Sequence, residues 1–329
     1  MLANGEIRDE AAGVLGLRTQ VEATTDSVFK IGSITKIWTA TLIQQLVDDG
    51  VLDLDRPVRD YLPGFRLSDP GATASLTARH LLTHTGGIDG NHFTDTGRND
   101  DAIEKFVATL AEADQLLPPD TVFSYSNSGY VVLGRLVEVL RDKPFHDVLR
   151  DRLVTPLGLR TAAADPYEAI LHRAAVGHVR TGGEVVPSAG VAVAVLTNST
   201  GGEPLAYEIF DAALRDLAGV ETAPLPVPPL NPTGIDVDRM CGTYRSTLYD
   251  ITLTSEHDRA FLTYRPRNEI AESFLGGAEN RVEVVRLNDN SVITAEPKSN
   301  GHQVLSLVGS DRHGRARFLH NGAAAYRIA

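Results

Sequence analysis

The chain predicts a mixed α/β (α+β) domain, an antiparallel sheet flanked by helices, followed by an antiparallel β-barrel, and two observations carry that expectation. Amphipathic runs at helical spacing recur up to about residue 218, whereas beyond residue 232 the apolar residues fall in short alternating runs. Between these regimes lies Thr222-Ala223-Pro224-Leu225-Pro226-Val227-Pro228-Pro229-Leu230-Asn231-Pro232, whose five prolines resist helix and favour a stiff, extended linker. The expected division is therefore a domain over 1–221, a linker over 222–232 and a second domain over 233–329.

Length and composition agree with two domains. The chain has 329 residues, 42% of them hydrophobic, enough to fill two cores. A net charge of −12 argues against nucleic acid or an anionic membrane as the main partner. The single cysteine, Cys241, excludes an internal disulfide. No apolar run approaches a membrane span. Met1-Leu2-Ala3-Asn4-Gly5-Glu6 has neither a basic start nor an apolar core, so no secretory signal is legible and the cytoplasm is the default location.

The first long helix is expected over 33–49, from the spacing of Ile34, Ile37, Trp38, Leu42, Leu46 and Val47 and the stop at Gly50. At its start stands Ser33-Ile34-Thr35-Lys36. Residues three apart share a helical face, which sets the Ser33 hydroxyl beside the Lys36 amine near the positive end of the helix dipole. A serine is a weak nucleophile until a neighbouring group accepts its proton, and a desolvated amine can do so. Chance supplies such a pair in a chain this long, and Ser27 with Lys30 is one. That pair reads as the end of a strand, where residues three apart face opposite ways.

A second element, Ser124-Tyr125-Ser126-Asn127-Ser128-Gly129, follows the Pro118-Pro119-Asp120 turn and precedes a helical pattern over 130–140. In an extended loop Tyr125 and Asn127 project the same way, one a phenol able to shuttle a proton, the other an amide able to orient a carbonyl. Each also has a plainer reading, Tyr125 as a buried tyrosine and Asn127 as a helix N-cap. Asp89, His92, Asp95, Asp100 and Asp101 are too irregularly spaced for a metal site and read as a solvated loop. His80 and His84 read as structural, and Asp53 and Asp55 as turn residues. No metal or organic cofactor is called for.

Taken together, Ser-x-x-Lys, Leu81-Leu82-Thr83-His84-Thr85-Gly86-Gly87 and Tyr-x-Asn, in that order, resemble the serine β-lactamase and penicillin-binding protein superfamily. The Tyr-x-Asn form points to the branch of class C β-lactamases, DD-peptidases and esterases. Pro156-Leu157-Gly158-Leu159 and Val193-Ala194-Val195-Leu196-Thr197-Asn198 extend the likeness over most of 5–217. The resemblance implies a β-lactamase/transpeptidase-like fold in which Ser33 is acylated, Lys36 and Tyr125 handle its proton, and Asn127 binds the substrate amide or holds Lys36. The partner is then a small-molecule or peptide substrate.

The chain departs from that pattern at a third element, Lys-Thr-Gly or His-x-Gly, on a strand opposite the nucleophile. The interval 172–190 is short for it, and neither Gly177-His178 nor His320-Asn321-Gly322 is assigned as the motif. The junction Ser188-Ala189-Gly190-Val191 is expected to mark an internal shortening of about a hundred residues, judged from usual domain size. The N-terminus is likewise expected to enter within the first hairpin of the sheet, and a lost export signal is the alternative to a cytoplasmic location. Loss of one oxyanion donor costs about 10²–10³ in rate. Two functions stay open: a serine hydrolase acting on an amide, ester or β-lactam, and a non-catalytic binding or scaffold protein. The shortened sheet also raises self-association as a homo-oligomer.

Past the linker, runs at 242–245, 251–254, 261–264, 282–287, 291–294, 304–307, 316–319 and 325–328 predict about eight strands. They resemble the lipocalin-like C-terminal domain of some esterase and D-aminopeptidase members of the same superfamily. Before the linker, Leu205, Ile209, Phe210, Ala213, Leu214 and Leu217 predict a helix over 203–218 that Gly219 stops.

Overall fold

Asn4 and Gly5 both adopt positive φ, 51° and 78°, as a tight two-residue hairpin turn requires. They join β1 (Leu2–Ala3) to β2 (Glu6–Ile7). The computed structural model describes residues 1–176, 180–199, 202–275, 279–297 and 301–329. By contact the chain separates into two units, Met1–Gln45 with Arg141–Pro224, and Leu46–Leu140 with Leu225–Ala329.

In the first unit, β1 also pairs antiparallel with β4 (Val191–Thr197), which pairs in turn with β3 (Arg180–Val186). The order is β2-β1-β4-β3, which leaves β3 at the sheet edge among the described strands. The helix Gly202–Ala218 covers this sheet: Phe210 and Ala213 pack on Val191 and Val193, flanked by Ala3, Val195, Ala206 and Ile209. Gly219 ends it at φ 64°, the left-handed step that suits a residue without Cβ. Asn198, closing β4, donates from Nδ2 to the carbonyls of Val14 (3.1 Å) and Leu15 (3.3 Å), tying the N-terminal segment to the sheet. Arg150 gathers Asp147, Asp165 and Glu168 around one guanidinium.

A strand does occupy the interval that the sequence leaves without one. β3 runs from Arg180 to Val186 and turns into β4 through a short 3₁₀ segment, Pro187–Ala189, with Gly190 left-handed at φ 64°. The junction Ser188-Ala189-Gly190-Val191 lies within this β-hairpin. Gly177-His178 lies outside the described residues.

In the second unit, short helices are set by side-chain caps. Asp69 accepts from the Ala72 N–H ahead of Pro70–Ser75, and Thr77 and His80 exchange hydrogen bonds at the start of Ala78–Leu82. Asp53 accepts from the Asp55 N–H in a turn, while Asp55 pairs with Arg79 through both carboxylate oxygens (2.6 and 2.8 Å). The helix Asn127–Arg141 buries Val132, Leu133, Leu136 and Val137 along one face.

The same unit contains the barrel. Its strands are β5 (Gly242–Arg245), β6 (Tyr249–Glu256), β7 (Arg259–Pro266), β8 (Asn280–Asn288), β9 (Ser291–Thr294), β10 (Val304–Ser310), β11 (Ala316–Asn321) and β12 (Ala323–Arg327). They close in the order β10-β11-β12-β5-β6-β7-β8-β9, which removes the exposed edges an open sheet would carry. Its interior is filled by Met240, Tyr244, Leu253, Leu262, Val292, Leu305 and Leu307. Arg327 lies along the Tyr244 ring and donates to the carbonyls of Arg239 (2.8 Å), Cys241 (2.6 Å) and Ala316 (2.6 Å). Among the described residues no helix is long and apolar enough to cross a membrane.

Burial pushes the phenols of Tyr244 and Tyr264 up to about 12, above the ordinary value of about 10. An unfolded chain therefore releases these two protons before the fold does, so stability is full below about pH 10 and is lost as pH rises toward 12. Denaturant midpoints compared at about pH 8 and about pH 11 should fall with pH, and tyrosinate absorbance should show these two phenols ionising only on unfolding.

Candidate functional site

The segment before the first long helix winds as a 3₁₀ turn, Gly32–Ile34, and continues directly into the α-helix Thr35–Asp48. Gly32 enters the turn at φ 52°. This winding brings Lys36 back over the turn: its ammonium donates to Ser33 Oγ at 3.1 Å. Ser33 is exposed, and Lys36 is half-buried. The first N–H groups of a helix have no intrahelical acceptor and carry a partial positive charge, so negative charge forming at Ser33 is favoured there. The edge strand β3 has Cα atoms within 8 Å of the same turn.

Tyr125 and Asn127 belong to the second unit, at the start of the helix Asn127–Arg141. The cap is Ser126, whose Oγ accepts from the Gly129 N–H at 3.0 Å, so Asn127 is the first helical residue and its side chain does not serve as the cap. The Asn127 N–H donates to Gly90 C=O at 3.0 Å. Both Tyr125 and Asn127 are half-buried.

His84 holds this segment from the other side. It is left-handed, φ 57°, at the end of the helix Ala78–Leu82, and that turn aims its ring at the tyrosine loop. Its Nδ1 accepts from the Ser126 N–H (3.0 Å) and its carbonyl accepts from the Ser124 N–H (2.7 Å). The neutral ring therefore carries its proton on Nε2. The imidazole lies 4.6 Å from the Tyr125 ring and 5.0 Å from that of Tyr130, with Phe123 edge-on at 5.5 Å. Tyr130 donates to Leu82 C=O (3.1 Å), and burial, with Tyr125 nearby, raises its phenol above the usual value. The sequence reading of His84 as structural thus extends to direct contact with Tyr125. A histidine just after a helical run and before Gly86-Gly87 is the local signal that could have pointed there.

Asp89 differs from the solvated loop expected of it. It is only 5% exposed, and its carboxylate accepts from Thr247 Oγ1 and from the Asn91 N–H (2.8 Å). His92 bonds Thr109 (3.0 Å), whereas Asp95, Asp100 and Asp101 are solvent-facing. Among the described residues no cluster of acidic, His or Cys side chains has the makings of a metal site. His320 lies by Phe123, with Nε2 2.9 Å from its carbonyl.

Comparison with known proteins places these elements in context. The pattern of the Beta-lactamase family matches residues 2–203. Penicillin-binding protein 4 of Amycolatopsis lactamdurans is 48% identical over 179 residues, 54% of this chain and 47% of that protein. Esterase EstB of Burkholderia gladioli is 32% identical over 150 residues, 41% of this chain and 38% of that protein. The chain thus spans less than half the length of these relatives. Among solved structures, SurE with D-Leu superposes with a TM-score of 0.74 at 22% identity, covering 99% of this chain and 93% of that one. The octameric penicillin-binding protein homologue from Pyrococcus abyssi gives 0.59 at 17% identity, with 94% and 91% covered. At these identities the likeness is one of fold, and it extends through the barrel.

Gly90 tests the packing of the tyrosine loop. A Cβ there would stand 2.4 Å from Tyr125 C=O and 2.9 Å from Ser126 Cα, both backbone atoms. Gly90→Ala should therefore push this segment aside and destabilise the protein by about 1–3 kcal/mol, read as a lowered denaturant midpoint. Gly97→Ala, with open space around its Cβ but φ 90°, should show only the smaller backbone cost, about 1 kcal/mol.

Proposed function

We propose, from the premise that the chain belongs to the Beta-lactamase family, that it is a serine hydrolase working through an acyl-enzyme on Ser33. The observation that carries this reading is the Lys36 ammonium 3.1 Å from Ser33 Oγ at the head of a helix. In the proposed reaction Ser33 Oγ attacks a substrate carbonyl and its proton passes to Lys36 in its neutral amine form or to Tyr125 as the phenolate, whichever of the two is deprotonated in the reacting enzyme. The tetrahedral oxyanion that forms is met by backbone N–H groups, those of the Ser33 turn and, in this reading, one from the outer edge of β3. Collapse expels the alcohol or amine, which takes up the proton and leaves an ester on Ser33. Water, deprotonated by the same groups, then releases the acid. Asn127 is assigned to the substrate amide.

The substrate class follows from what this machinery needs. Nothing in it is selective for the leaving group, so esters, amides and β-lactams all fit the chemistry. The relatives, a penicillin-binding protein and an esterase, favour D-alanyl peptides and small esters. The reading as a binding or scaffold protein rested on the lack of a strand opposite the nucleophile. A strand beside the Ser33 turn weakens that argument.

Hydrolysis of an activated p-nitrophenyl ester tests the proposal, because an easy leaving group asks little of the oxyanion site. Ser33→Ala and Lys36→Ala should each lower kcat/KM by about 10³-fold or more. Quenching wild type early in turnover should leave the acyl mass on the peptide containing Ser33. Equal rates in wild type and Ser33→Ala would instead support the binding or scaffold reading.

A further inference from the structure

The barrel interior is filled by side chains, so its place in this protein is to be sought on its outside. There the turn between β11 and β12 meets the tyrosine loop. The Tyr125 N–H donates to Gly322 C=O at 3.0 Å, and the Ala324 N–H donates to Ser124 Oγ at 3.2 Å. His320 Nε2 reaches Phe123 C=O at 2.9 Å. Beneath these bonds Phe318 and Ala324 pack on Leu117, with Val122 and Tyr326 at the margin.

A second strap comes from the neighbouring hairpin at the same end of the barrel, since β12 pairs antiparallel with β5. Thr247, in the turn between β5 and β6, donates to the buried carboxylate of Asp89. The next residue, Gly90, accepts the Asn127 N–H and lies against Tyr125 C=O. Backbone groups of Phe123, Tyr125 and Asn127, together with the Ser124 hydroxyl, are thus held by barrel residues or by the residue next to one that a barrel side chain holds. A tyrosine that transfers a proton works only if its oxygen is held to a fraction of an ångström, since a shift of about 1 Å costs about 10² in rate.

We propose that the barrel positions Tyr125 for proton transfer, with Ser124, Thr247 and His320 as positioning residues; this rests on the hydrolase reading above. The barrel then acts as the outer wall of the catalytic loop, and its contribution is to the rate of the chemical step, leaving substrate affinity largely unchanged.

The test uses the full chain, with Ser124→Ala and Thr247→Val as disrupting variants and Thr247→Ser as the conservative one. Amide hydrogen exchange of the peptide spanning 123–127 reads the clamp without reference to activity. Turnover of the p-nitrophenyl ester reads the consequence. In each disrupting variant exchange of this peptide should rise about 10-fold while the barrel strands keep their protection. The same variants should show kcat lower by about 10-fold, KM within about twofold and an altered pH–rate profile, and Thr247→Ser should restore all of these. Unchanged exchange would overturn the clamp. Raised exchange with wild-type kcat and pH profile would overturn the positioning role. A wild type without Ser33-dependent turnover would sink the hydrolase reading and the positioning role with it, while exchange would still decide whether the barrel holds the loop.

Discussion

The first N–H groups of an α-helix have no acceptor inside the helix, and both chemically equipped segments of this chain sit at such a start. Around Ser33 the 3₁₀ winding leads straight into the helix Thr35–Asp48, and the Ile34 and Thr35 N–H groups find acceptors within the turn itself, Ile31 C=O and Gly32 C=O. Around Tyr125 the demand is met differently: Ser126 caps its own helix, Gly90 takes the Asn127 N–H, and His84 takes that of Ser126. Satisfying these donors determines which loops approach the helix ends. The left-handed His84 and the close passage of Gly90 supply the acceptors that this demand calls for.

The barrel meets a related constraint at the level of strands. Closing the sheet leaves no edge to pair with a neighbour, and filling its interior with Tyr244, Leu253 and Leu262 makes it rigid. Rigidity of that kind is what a loop needs from a support. Arg327, surrounded by carbonyls with its guanidinium against Tyr244, ties the last strand to the segment before β5, so the ends of the barrel sequence are locked together.

Much of this architecture was legible in the residues, and what was not has a common cause. The eight barrel strands stood out because period-two alternation survives wherever one face is buried. The helix carrying Ser33 and Lys36 was readable from its apolar stripe and Gly50. β3 was not, because Arg180-Thr181-Gly182-Gly183-Glu184 lacks both apolar alternation and β-branched density; its pairing with β4 is what makes it a strand. Asp89 and Thr247 are 158 positions apart, and no local pattern announces a bond across that distance. Placing the cap on Ser126 required the bond to Gly129, since Ser126, Asn127 and Ser128 are all competent caps.

The pairing of Leu2 with Ala192 has a consequence for how the chain is made. The opening hairpin can form as soon as its few residues emerge from the ribosome, yet its partner strand arrives almost two hundred residues later. Until then β1 lacks the partner it finds in β4, and an isolated two-stranded hairpin is marginal in water. The segment supplying most of the second unit's helices is synthesised in that interval, and the barrel only after β4. The sheet beside Ser33 is therefore built from the two ends of a long loop, and its assembly is slow for the entropic reason that governs all distant contacts.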